Sequence, residues 1–258
     1  MKLLVCIKQV PDMDSKFRGT VDGKWFDDND IAFRINEYDE YAIEEAVRLK
    51  EQLMNEPIIT VISVGPKRVE DAVKKALAMG CDKGVHVLDD AYFEKDSWQI
   101  AAVITAFARG KGFDLIFTGL QSQDRGSAQV GGIIAERLDY QCVTTVVSFS
   151  FNDGTVLAKR ELEGGLKAIV KVKTPAVITC QLGLNLPRYP TLPNIMKAKR
   201  KETLTFLITD LLKEKALLVT EKIYAPPKRG GGVVLEGDVK TMADRLIGIL
   251  KDKTTVLR

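Results

Sequence analysis

Residues 115–138 read LIFTGLQSQDRGSAQVGGIIAERL, and the order of physical types in them decides the fold class. Leu115-Ile116-Phe117-Thr118 is a short apolar run, as expected of a strand buried on both faces. The residues after it are polar, small and glycine-bearing. Residues 126–132 open a helix that runs to Leu138. Working outward, the same alternation returns. Residues 2–10 are a nearly all-apolar strand stopped by Pro11-Asp12. Residues 14–30 are polar and turn-rich, a hairpin excursion around Asp22-Gly23. A helix is predicted over 39–54, with Tyr41, Ala42, Ala46, Val47, Leu49 and Leu53 on one side. Asn36 is its cap, and Glu37, Asp39 and Glu40 favour the positive end of its dipole. Residues 58–64 form a second buried strand ending in Gly65-Pro66. A helix over 69–79 closes at Gly80, a third strand spans 84–88 and a helix spans 97–109. Alternating strands and helices predict an α/β fold with a doubly wound, mostly parallel, Rossmann-like sheet.

After Val143 the pattern changes. Residues 144–151, 155–162 and 166–173 read as hairpin-linked strands, joined at Asn152-Asp153-Gly154 and Glu163-Gly164-Gly165. Pro175 leads a short buried strand to Cys180. Pro187, Pro190 and Pro193 forbid continuous helix or sheet, so residues 184–193 are expected as an ordered, irregular loop. A basic run follows: Lys197, Lys199, Arg200 and Lys201. A helix is predicted over 204–215, then an extended stretch through Pro226-Pro227 and Gly230-Gly231-Gly232, then a helix over 239–251. This divides the chain into an α/β domain, 1–201, and an arm, 202–258, too broken to form its own core.

With 258 residues, 45% hydrophobic and 28% charged, the chain has the composition of a globular domain with an appendage. A net charge of +3 does not suggest nucleic acid. No apolar run is long enough to cross a bilayer, and Lys8 interrupts the N-terminal apolar stretch, which reads as a strand rather than a signal peptide. The four cysteines are widely spaced, with no CxxC, and His86 is the single histidine. They read as buried reduced thiols of a cytoplasmic protein, and no metal site is expected. No nucleophile–base pair appears, so acid–base catalysis has no evident machinery.

In a doubly wound sheet, ligands bind beyond the carboxyl ends of the strands at the switch point. The loop Gln121 to Gly132 stands there. Its small residues allow close backbone approach, the following helix offers free N–H groups to an anion, and Ser127 and Gln129 add side-chain hydrogen bonds. Cys6, Lys8, Val64, Gly65 and Asn36 would complete the walls of a nucleotide pocket. The loop is neither GxGxxG nor a Walker A sequence, and a glycine-rich turn capping a helix accounts for it equally well.

The stretch Lys159-Arg160-Glu161 to Glu163-Gly164-Gly165, the strand led by Pro175, and Leu184-Asn185-Leu186-Pro187-Arg188-Tyr189-Pro190-Thr191-Leu192-Pro193-Asn194-Ile195-Met196-Lys197-Ala198-Lys199 together resemble the β subunit of electron transfer flavoprotein. Two departures stand out. Lys167 replaces the usual Glu or Gln, which bears on contact with the partner subunit, and Leu186 replaces Glu before Pro187, which bears on partner choice. The resemblance implies a heterodimer with an α subunit that carries most of an FAD site and is wrapped by the C-terminal arm. It implies a nucleotide, AMP or a second FAD, held by Cys6, Lys8, Asn36, Val64, Gly65, Gln121, Asp124, Gly126, Ser127, Ala128, Gln129, Val130 and Gly131. Ala128-Gln129-Val130-Gly131 leans toward electron-bifurcating members, in which the second FAD meets NADH. The TLPNIMKAK segment leans toward AMP-type members that serve acyl-CoA dehydrogenases and pass electrons to a membrane quinone oxidoreductase; AMP is the favoured reading. Tyr38 would wall the flavin, or act simply as an aromatic staple at a helix start, and Met13 is a second position to consider. Leu192, flanked by Pro193 and supported by Ile195, Met196 and Lys197, would anchor the dehydrogenase; the basic run would steer an acidic partner, or be only a solvated face. A stand-alone adenine-nucleotide sensor is the reading from another class.

Overall fold

The computed structural model describes residues 1–53, 56–225, 227 and 230–255. The first strand, β1 (Lys2–Cys6), lies near the middle of a nine-stranded sheet, paired in parallel with β4 (Ile58–Gly65) on one side and β6 (Leu115–Gly119) on the other. Its side chains alternate between two cores. Leu3 and Val5 join one with α1 (Glu37–Gln52) and α2 (Val69–Met79). Leu4 and Cys6 join the other with α3 (Ser97–Ala108) and α4 (Val130–Leu138). Leu115 and Phe117 against Ile116 repeat the split in β6. Apolar residues on both sides of each strand therefore produce the doubly wound architecture, since each face needs its own layer of helices.

From β4 the sheet continues outward to β5 (Lys83–Leu88) and, at the edge, β11 (Thr203–Leu207). From β6 it continues through β10 (Ala176–Cys180) to β7 (Gln141–Asn152), β8 (Thr155–Glu161) and β9 (Lys167–Lys173). Pairing is parallel from β11 through β7 and antiparallel across the β7–β8–β9 hairpins, whose turns fall at Asp153-Gly154 and at Gly164-Gly165. The chain leaves β1 for β4 and β5, then returns to the other side of β1 as β6. The switch point lies between β1 and β6.

Four sequence expectations are corrected. Residues 2–10 are not one strand: the chain breaks after Cys6, and β2 (Gln9–Pro11) pairs antiparallel with an unanticipated β3 (Phe33–Ile35). Residues 204–215 are not a helix. β11 supplies the partner that the edge of β5 lacks, Phe206 packs against Phe107, and only α6 (Ile208–Leu211) remains helical. Of residues 126–132, expected to open a helix, only Val130, Gly131 and Gly132 are helical, because Gly126 (φ 61°) and Ala128 (φ 52°) hold left-handed backbone. Pro193 does not exclude helix. It lies in the first turn of α5 (Leu192–Ala198), where a missing N–H costs nothing. The expected hairpin excursion is present as a bridge between Gly19 and Phe26. Met54, the expected end of α1, and Pro226 lie outside the described residues.

The chain forms two compact units, Met1–Ile223 and Tyr224–Arg258. In the second, Asp238 caps α7 (Val239–Lys253), accepting from Thr241 N at 2.9 Å, and α7 buries no residue. No helix among the described residues is long and apolar enough to cross a membrane.

Candidate functional site

At the switch point lies a cleft that is open to solvent. Its floor is the ends of β1 and β6. One wall is the start of α3 and the other the loop that leads into α4. Cys6, Lys8, Asn36, Val64, Gln121, Ser127, Ala128, Gln129, Val130 and Gly131 all line it. Gly65, Asp124 and Gly126 do not. Gly65 ends β4, and its carbonyl accepts from Asp89 N at 3.0 Å and faces His86 Nε2 at 2.9 Å. Gly126 turns the loop, its N–H donating to Ser122 O. Asp124 sits behind Lys8.

The loop is held from three directions. The Lys8 ammonium donates to Asp124 Oδ1 and Oδ2 at 2.7 and 2.6 Å, a pair with Asp124 almost fully covered. Burial pulls the Lys8 pKa down, and Asp124 opposes that shift. Asn36 stands at the helix-cap position but makes no cap hydrogen bond. Its side chain instead donates to Gln121 O (2.9 Å) and accepts from Gln123 N (3.0 Å). Arg125 donates to Phe93 O and Lys95 O and lies 4.8 Å from the Trp25 ring, tying the loop to residues 92–95 and to the excursion. Across the cleft, the Ser97 and Ser127 hydroxyls meet at 2.9 Å.

Sequence reasoning assigned Asp39 only to the helix dipole. The structure buries it in the cleft floor, where it accepts from Lys8 N (2.7 Å, Oδ2) and Gly119 N (3.0 Å, Oδ1). Burial pushes its carboxyl up to about 7, although these donors and Asn36 pull the other way. The available signal was an aspartate three residues after Asn36 on the turn that faces both strand ends.

The lining divides into an apolar and a polar side. Val64, Ile100 and Ile104 offer apolar surface, while the first turn of α4 has no side-chain cap and presents its N–H groups beside Ser127 and Gln129. Tyr38 packs against Gly119, where an added Cβ would fall on Asp39 Oδ1 and Tyr38 Cβ; its hydroxyl accepts from Gln121 Nε2 at 3.3 Å. Met13 is exposed on the excursion. Among the described residues no group of His, Cys, Asp and Glu is placed to hold a metal.

The proline loop forms a separate surface. Arg188 spans Glu44 and Glu51 of α1 with hydrogen bonds of 2.6–3.0 Å, and Asn185 donates to Tyr41 O and Glu45. On this anchored base Leu192 is 79% exposed, with Met196, Leu186 and Tyr189 also exposed and Ile195 partly so. Thr191 caps α5, accepting from Asn194 N, and Pro193 and Lys197 lie on that helix. Lys201 is not free: it donates to Leu77 O and Cys81 O.

The sheet order and the switch-point cleft define a doubly wound α/β protein. The electron transfer flavoprotein domain matches residues 24–211. The chain is 38% identical to the electron transfer flavoprotein subunit beta of Bacillus subtilis over the full length of both, and 31% identical to that of Methylophilus methylotrophus over 98% of each. It is 37% identical to the mouse subunit beta, covering 92% of this chain and 93% of that one. The chain belongs to the electron transfer flavoprotein β-subunit family, and it is thus a subunit of an electron-transport flavoprotein.

Proposed function

We propose that this chain pairs with an α subunit in a heterodimer, carries AMP in the switch-point cleft and helps to hold the FAD borne mainly by α. The flavin supplies the redox chemistry. This chain supplies a scaffold, with Tyr38 toward the flavin, and a docking surface, with Leu192 as anchor and Pro193, Ile195, Met196 and Lys197 around it. Its role is to bring acyl-CoA dehydrogenases to the flavin and to relay their electrons toward a membrane quinone oxidoreductase, in the cytoplasm. Of the arm expected over residues 202–258, β11 belongs to this chain's own sheet, and the second unit, Tyr224–Arg258, serves to pack on α. The observation that carries the AMP reading is the uncapped first turn of α4, facing the same cleft as Ser127, Gln129 and an apolar wall.

A second reading is favoured by Ala128-Gln129-Val130-Gly131: an electron-bifurcating protein with a second FAD and an NADH site in place of AMP. Extraction of nucleotides from the purified heterodimer decides between them. One FAD and one AMP per dimer is the expected result; two FAD and no AMP would overturn it.

A further inference from the structure

The cleft floor joins two strand ends that are far apart in the chain. The last residues paired between β1 and β6 are Cys6 and Thr118. Lys8 and Gly119 lie beyond that pair, and both of their N–H groups go to one carboxyl, that of Asp39, on a third element. The fit is close, because Gly119 has no room for a Cβ against Asp39 and Tyr38. One turn of α1 therefore serves both halves of the cleft: Asp39 takes the two strand ends, and Asn36 takes Gln121 and Gln123 of the loop.

We propose that Asp39 is the positioning residue of the cleft: by spanning the Lys8 and Gly119 amides it sets the spacing of the floor and so governs nucleotide affinity. The inference rests on the nucleotide reading of the cleft. An acceptor shared by two backbone donors is sensitive to its own chemistry, since a buried donor left without a partner is costly. The groups that face Asp39 offer it little countercharge. From the end of β1 come the Cys6 thiol and the Lys8 ammonium, the latter already taken by Asp124. From β10 comes the Cys180 thiol. Both thiols are pushed up by burial and stay neutral. From β6 comes the Gly119 amide, and from the cap position before α1 the neutral Asn36. The carboxyl, pushed up to about 7, therefore exchanges its proton near neutrality, and amides 2.7 and 3.0 Å away register the change.

The test uses the full chain co-purified with its α subunit. Asp39→Asn keeps the shape of the side chain but turns an NH2 group toward one of the two donors. Expected are an unchanged circular dichroism spectrum and AMP affinity, by calorimetry, lowered about tenfold or more. In the wild type, the Lys8 and Gly119 amide resonances should titrate together with a common midpoint near 7, and this titration should vanish in Asp39→Asn. AMP affinity within twofold of wild type in the variant, or two amides that do not titrate together, would overturn the proposal. Failure of the wild type itself to bind AMP would overturn the reading of the cleft instead, and this inference with it.

Discussion

Asp39 also links the cleft to the stability of the whole fold. Its carboxyl has an ordinary value of 3.8 and is raised to about 7 by burial. Between those values the native state holds a proton that the unfolded chain has released. Stability from this residue is therefore full below about 4 and is lost as pH rises through 7. The loss amounts to roughly 4 kcal/mol at high pH. Urea midpoints measured from pH 5 to 8.5 should fall in the wild type relative to Asp39→Asn; parallel curves would refute the assignment. Arg188 presents the opposite case, a cation that compensates a buried acid. Glu44 is almost fully covered, and Arg188→Met would leave it without a countercharge, at a cost of about 2 kcal/mol after allowance for the partly exposed guanidinium. A lower thermal midpoint and faster proteolysis within 184–193 would show it, and Glu44→Gln added to the same variant should recover part of the loss.

At the scale of elements, legibility in the sequence followed burial. β1, β4, β6 and β10 are apolar on both faces, and their runs mark them without ambiguity. The β7–β8–β9 hairpins were legible because Gly154 and Gly164-Gly165 mark turns that need left-handed backbone. β11 was missed because an edge strand with one open side carries few buried residues, and Leu204, Phe206 and Leu207 suit a helix as well as a strand. Only the free edge of β5 decides, and no local pattern reports it. The pocket loop was legible through its small residues. Asn36 was read both as a helix cap and as a pocket wall, but Asp39 only as a local helix signal, since its contact with Gly119 reaches 80 residues along the chain. Local rules describe what an acid or an amide does to its own helix; they are silent on what else the helix start touches.

For the whole molecule, the proposed docking surface combines an exposed leucine on an anchored loop with Lys197, Lys199 and Arg200, all exposed. Charge of this kind acts on encounter rates, while a buried apolar anchor acts on lifetime. Electron transfer from a reduced dehydrogenase should therefore slow as ionic strength rises from 20 to about 300 mM, in keeping with a screening length near 10 Å at 0.1 M. Leu192→Ala should speed dissociation about tenfold with no change in salt slope or thermal midpoint, because the side chain is 79% exposed in the free chain. A fall in thermal midpoint would place Leu192 under its own loop rather than at the partner.

The position of β10 carries a consequence for synthesis. This strand is inserted between β6 and β7, which precede it in the chain, and β7 has β10 and β8 as its neighbours. A nascent chain that has not yet delivered residues 176–180 leaves the edge of β6 open and the three-stranded hairpin unit unattached to the parallel half. The N-terminal half can assemble as it leaves the ribosome, but the joint between the halves must wait for one late, fully buried segment. Long-range parallel pairing of this sort is slow to form and exposed to mispairing while it waits. For this chain the hazardous interval begins when β6 emerges and ends when Cys180 does.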